Sequence, residues 1–112
     1  MAEVKPITLK YEDGTTYTLE FSAQTVADGE RAGLIISQIM DKPVSLVPLL
    51  FFFAFKMHHP TISKKKTDSI LYDDLGGLSQ EMQERLIELY LAPMNELGSE
   101  GGTKNPTMRV EM

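Results

Sequence analysis

Val44-Ser45-Leu46-Val47-Pro48-Leu49-Leu50-Phe51-Phe52-Phe53-Ala54-Phe55 is the most apolar stretch of the chain. Its leucines, valines and phenylalanines fall on every side of a helical projection, and a helix that is apolar all round is buried all round. Pro48 fits a first helical turn, where its missing N–H costs nothing, and Ser45 then becomes the N-cap. The helix is predicted to end near Met57-His58-His59, because Pro60 forbids smooth continuation. It is either the central helix of a core or half of an interface with another chain. At about 12 residues the stretch is too short for a membrane span, which needs roughly 20.

Upstream, Ile7, Leu9 and Tyr11 alternate with Thr8, Lys10 and Glu12, and Tyr17, Leu19 and Phe21 alternate with Thr16, Thr18 and Glu20. This period of two predicts a β-hairpin. A two-residue Asp13-Gly14 loop would put the two apolar sets on opposite faces. A three-residue loop, Glu12 to Gly14, pairs Tyr11 with Thr15, Leu9 with Tyr17 and Ile7 with Leu19. All apolar side chains then share one face, and Gly14 takes the left-handed position. Such a hairpin is marginal alone and needs helices to cover it. Ser22 is placed to cap a first helix, Ala23 to Ala32, stopped by Gly33. Leu34 to Met40 reads as a short helix or an extended link, and Asp41-Lys42-Pro43 as a break.

Downstream, Ser63 or Thr67 caps a helix that runs to Leu75 and stops at Gly76-Gly77. Ser79 caps the last helix, on which Met82, Leu86, Leu89, Tyr90, Pro93 and Leu97 form one stripe. Pro93 is expected to kink it. Gly, Ser, Thr, Asn and Pro dominate from Ser99 onward. The fold class is therefore α+β, an N-terminal hairpin (4–21) packed on a bundle of about four helices (22–97). Residues 1–97 form one domain, and 98–112 a flexible tail.

The chain has 112 residues, net charge −5 and no cysteine. That length fits one small domain, and the missing cysteine excludes a disulfide scaffold, a zinc ribbon and a thiol nucleophile. The charge is uneven. Residues 3–41 carry −4, residues 42–66 carry five bases and no acid, and residues 67–112 carry −6. The middle is thus the most apolar part of the chain and the only basic one, a docking surface for an acidic partner or a core helix with solvated lysines at its ends.

Chemistry finds little purchase. A serine triad would need His58 or His59 as base, and no G-x-S-x-G elbow is present. Two adjacent histidines diverge on a helix and fit a helix C-terminus better than a metal site. Gly76-Gly77 and Gly101-Gly102 lack the pattern of a phosphate loop. Asp73-Asp74 reads as a solvated helix end, and Lys64-Lys65-Lys66 lacks the interleaved aromatics of a nucleic-acid surface. No catalytic, cofactor-binding or metal-binding residue is expected, and the chain reads as a binding module rather than an enzyme. The candidate partner-binding residues are Phe51, Phe52, Phe53, Phe55, Lys56, Met57, His58, His59, Lys64, Lys65 and Lys66. Met40, Met57, Met82 and Met94 are candidates for adaptable apolar surface.

Several of these stretches together carry a family texture. They are Leu19-Glu20-Phe21, Asp41-Lys42-Pro43, the run Ala54-Phe55-Lys56-Met57-His58-His59-Pro60, Glu88-Leu89-Tyr90, Pro93-Met94-Asn95-Glu96-Leu97 and Lys104-Asn105-Pro106. The sequence resembles the tail assembly chaperones of long-tailed phages and prophages of Gram-positive bacteria. The resemblance implies a protein of the host cytoplasm that binds the long, helical tape measure protein and keeps it soluble. It further implies recruitment of tail tube subunits and absence from the mature virion. Many such chaperones are also made in a longer, frameshifted form, and Ser99 to Met112 would be where the extension joins. Self-association is open. A structural tail completion or joining protein, or a small DNA-binding regulator using Lys64 to Lys66, are the rival readings.

Overall fold

The structure, a computed structural model, describes residues 5–97. It begins with an antiparallel hairpin, β1 (Ile7–Lys10) and β2 (Thr16–Leu19), and continues through four helices. These are α1 (Ala23–Arg31), α2 (Pro43–Lys56), α3 (Lys64–Ser69) and α4 (Gln80–Leu97). A 3₁₀ turn at Ile36–Gln38 leads into α2, and a π-helical turn at Ile70–Asp74 prolongs α3. This is the predicted α+β arrangement of a hairpin followed by a helical region. The predicted tail, 98–112, lies outside the described residues.

The hairpin adopts the three-residue loop. Leu9 pairs with Tyr17 and Ile7 with Leu19, and the Tyr11 N–H donates to the Thr15 carbonyl at 2.8 Å. Gly14 has φ +95°, the left-handed conformation that glycine adopts without steric cost. The strands are four residues each, and with their loop they run from Ile7 to Leu19. The outer edge of β2 is closed by the end of α2. Glu20 N–H donates to the Ala54 carbonyl at 2.9 Å, and Thr18 N–H donates to His59 Nε2 at 3.0 Å. An exposed strand edge is thereby covered on that side.

α2 is the centre of the core and packs against β2, α1, α3 and α4. Leu46, Pro48, Leu50, Phe51, Phe53, Ala54 and Phe55 are buried in it, while Val47, Leu49 and Phe52 are half-buried. Around it sit Leu19 and Phe21 from the hairpin, Val26 from α1, Ile70 and Leu71 from the π turn, and Leu86, Leu89 and Tyr90 from α4. Phe51 and Phe55 meet edge to face at 4.9 Å between centroids, as do Phe21 and Tyr90 at 5.2 Å. Aromatic quadrupoles favour that geometry.

Two expectations for α2 need correction. The helix starts at Pro43, not after Ser45, and Lys42 is the N-cap residue without a side-chain cap. The fixed φ of Pro43 is already helical, so nucleation begins there, and Leu46 N–H makes its bond to the Lys42 carbonyl. Pro48 consequently lies in the second turn rather than the first. It omits the bond that would go to the Val44 carbonyl, at the exposed end of the helix. The other caps are as read. Ser22 forms a reciprocal capping box with Thr25, Ser63 accepts from Lys66 N–H, and Ser79 from Met82 N–H. Helix α4 continues through Pro93 to Leu97.

Candidate partner-binding site

The eleven residues singled out in the sequence do not come together as one surface. Phe51, Phe53 and Phe55 are core residues, with Phe51 and Phe55 fully buried. Their side chains are used up in the core and offer no surface to a partner. Phe52 is half-buried, edge-on to Phe53 at 4.9 Å, and Lys56 Nζ sits 5.4 Å from its ring centroid. Lys56 Nζ also donates to the Pro60 carbonyl at 2.6 Å, and so holds the turn after α2. Met57 is exposed.

The two histidines lie just past the end of α2 and both serve the hairpin. His58 Nε2 lies 2.8 Å from Glu20 Oε1. His59 packs edge-on against Tyr17 and accepts the Thr18 amide on Nε2. An acceptor nitrogen carries no proton, so this ring is neutral with its hydrogen on Nδ1. Lys64 is tied to Asp68 at 2.9 Å, one helical turn on. Lys65 and Lys66 are exposed and form no ion pair among the described residues. Also among the described residues, no group of histidine and carboxylate side chains is placed to hold a metal ion.

The surface that stands out lies at the other end of α2. Pro43, Val44, Val47 and Pro48 form one wall of a groove of about 220 Å³. Leu71 and Tyr72 of the π turn, with Gly77, Leu78 and Gln83 from the entry to α4, complete it. Val44 is 82% exposed and Tyr72 56%. Together they give the molecule an open apolar concavity. The π turn creates it. Leu75 N–H reaches back five residues to the Ile70 carbonyl at 2.9 Å, and Gly77 N–H reaches the Leu71 carbonyl at 2.8 Å. The wider turn leaves Ile70 and Leu71 buried while Tyr72 is turned out, and π turns recur at functional sites. Gly76 and Gly77, both at positive φ, then reverse the chain toward α4.

The π turn is also tied to the hairpin. Tyr11 donates its hydroxyl hydrogen to Asp74 Oδ2 at 2.5 Å. That bond, followed by burial and the Asp74 charge, pushes the Tyr11 phenol up to about 12. Sequence reading missed Val44 and Tyr72. The one available signal was Pro43, whose preference for the first helical position brings Val44 into the first turn.

An N-terminal antiparallel hairpin closed by the end of a central, mostly apolar helix defines a small α+β fold with an apolar groove. The chain matches, over residues 1–112, the family described as a domain of unknown function (DUF5055), and belongs to it. Comparison with curated proteins and with solved structures gave no match. Among the described residues, no helix is long and apolar enough to cross a membrane.

Proposed function

We propose that the protein is a non-catalytic phage tail assembly chaperone, which binds the tape measure protein in the host bacterial cytoplasm and helps recruit tail tube subunits. The observation that carries the reading is the exposed apolar groove between α2, the π turn and α4. A protein that keeps a long helical partner soluble needs apolar surface open to solvent on a domain that is otherwise well packed. Met40, Met57 and Met94, all exposed, add flexible and polarizable contacts around the molecule. The sequence resemblance, strongest in Ala54 to Pro60 and Tyr90 to Leu97, supplies the identity of the partner.

The test is co-expression with a tape measure protein encoded beside this gene. The expected result is a larger soluble fraction of the tape measure protein and a complex that survives gel filtration. Absence of a complex over a range of salt would overturn the reading. The protein should be missing from purified virions. Its presence there would favour a structural tail component instead.

A further inference from the structure

The hairpin has two edges, and α2 covers only one of them. Along an antiparallel strand, successive residues turn their backbone groups to opposite sides. The Tyr11 N–H bonds the Thr15 carbonyl, and Leu9 pairs with Tyr17 and Ile7 with Leu19, so the odd-numbered residues of β1 face β2. The even-numbered residues of both strands face outward. On β2 those groups are already bonded, Thr18 N–H to His59 and Glu20 N–H to the Ala54 carbonyl. On β1 they are Thr8 and Lys10, both exposed. The sheet ends at β1, and among the described residues nothing hydrogen-bonds to the N–H or C=O of Thr8 or Lys10. Donors and acceptors thus stand in a row along an open edge, and another extended strand is what satisfies such a row.

The residues of β1 select that strand. The open edge is short, since Pro6 has no N–H to give on one side and the turn begins at Glu12 on the other. A second β1, running antiparallel across a two-fold axis, matches that length. Its possible registers differ in what they bring together. Thr8 against Thr8 sets Lys10 opposite Pro6, which cannot donate. Lys10 against Lys10 sets like charges side by side, which is unfavourable. Thr8 against Lys10 uses the outward N–H and C=O of both residues on both copies. It also sets Leu9 beside Leu9 and Ile7 beside Tyr11, so the half-buried apolar side chains of the two hairpins continue one face. We propose that two copies of the chain join β1 to β1 in this register, with the two-fold axis at Leu9, to make one four-stranded sheet from two hairpins. The covered edge of β2 closes the assembly. Each copy has one open edge, so pairing ends at two copies and does not run on into a fibre. The pairing uses no residue of the apolar groove and is independent of the chaperone reading.

The test is sedimentation velocity on the full chain from about 5 µM to about 1 mM, a range in which a small interface populates both states. The expected result is a monomer that gives way to a dimer, and to nothing larger, as concentration rises. Thr8→Pro removes an outward N–H that the fold itself does not use. Circular dichroism should hold while the dimer's dissociation constant rises about tenfold or more. Thr8→Glu places a carboxylate beside Lys10 of the second copy and should tighten the dimer about threefold or more at low salt. Thr8→Lys should loosen it by a similar factor. In the wild type, the Thr8 and Lys10 amides should exchange more slowly as concentration rises, which locates the contact even if Thr8→Pro folds poorly. A monomer at every concentration, a dimer indifferent to Thr8→Pro, or Thr8→Glu and Thr8→Lys acting alike would overturn the proposal. Slow exchange of those two amides in a monomer would overturn it too, and would give the edge to residues 98–112 of the same chain.

Discussion

His59 shows how one side chain joins two elements. Its ring packs on Tyr17 and Phe55 while Nε2 takes the amide of Thr18. His59→Phe keeps the ring packing and removes the acceptor, leaving a half-buried N–H unpaired. The expected cost is about 1–2 kcal/mol in urea unfolding, with the Thr18 amide exchanging faster than in the wild type. Unchanged stability would mean water replaces the ring nitrogen at no cost. Tyr11 makes the second such tie, to Asp74, and its phenol is raised to about 12. A folded-state value above the ordinary 10 means the bond stabilises the fold below pH 10. That contribution is lost as the pH rises from about 10 through 12. Phenolate absorbance should therefore contain a late step that Tyr11→Phe removes and Asp74→Asn shifts to lower pH. Tyr90, raised chiefly by burial, contributes its own late ionisation that neither variant alters. Both histidine roles were invisible in sequence. The adjacency of His58 and His59 predicts divergence, but the partners, Glu20 and Thr18, lie about 40 residues upstream.

At the scale of elements, local rules and tertiary packing divide the work. The hairpin register was legible because a period of two and one left-handed glycine leave a single loop length that buries all apolar side chains together. The caps Ser22, Ser63 and Ser79 were legible because capping depends on nearest neighbours. α1 has three buried residues in nine, Thr25, Val26 and Gly29, so its capping box matters more than it would in a well-buried helix. Ser22→Ala is expected to cost about 1 kcal/mol and to show first as fraying of α1 in amide exchange. The phenylalanine run was legible as buried, but not which rings face the core. Phe51→Ala removes a ring with no exposure and should cost about 3–5 kcal/mol in the unfolding midpoint. Phe52→Ala, at a half-buried position, should cost clearly less. Equal losses would place Phe52 in the core as well. The π turn had no local signature. Its five-residue bond exists because Ile70 and Leu71 both reach the core while Gly77 closes on Leu71, a condition set by α2 and not by residues 70–74 themselves.

For the whole molecule, the buried core runs from Leu19 to Tyr90, and every part of it is gathered around α2. The groove is a by-product of that gathering. Its walls come from residues 43–48, 71–72 and 77–83, which no window of sequence contains together, so a reading along the chain could not assemble it. The same geometry separates the groove from the end of the domain. Gln83 lies fourteen residues before Leu97 on α4, about 21 Å along the axis. A chain ending at Leu97 keeps, among the described residues, all of the buried core and the walls of the groove. Its unfolding midpoint should stay within about 3 °C of the full chain, since 1 kcal/mol shifts a domain of this size by about 4–8 °C. A larger fall in the midpoint would assign residues 98–112 a packing role. Calorimetry of the two chains decides between these outcomes.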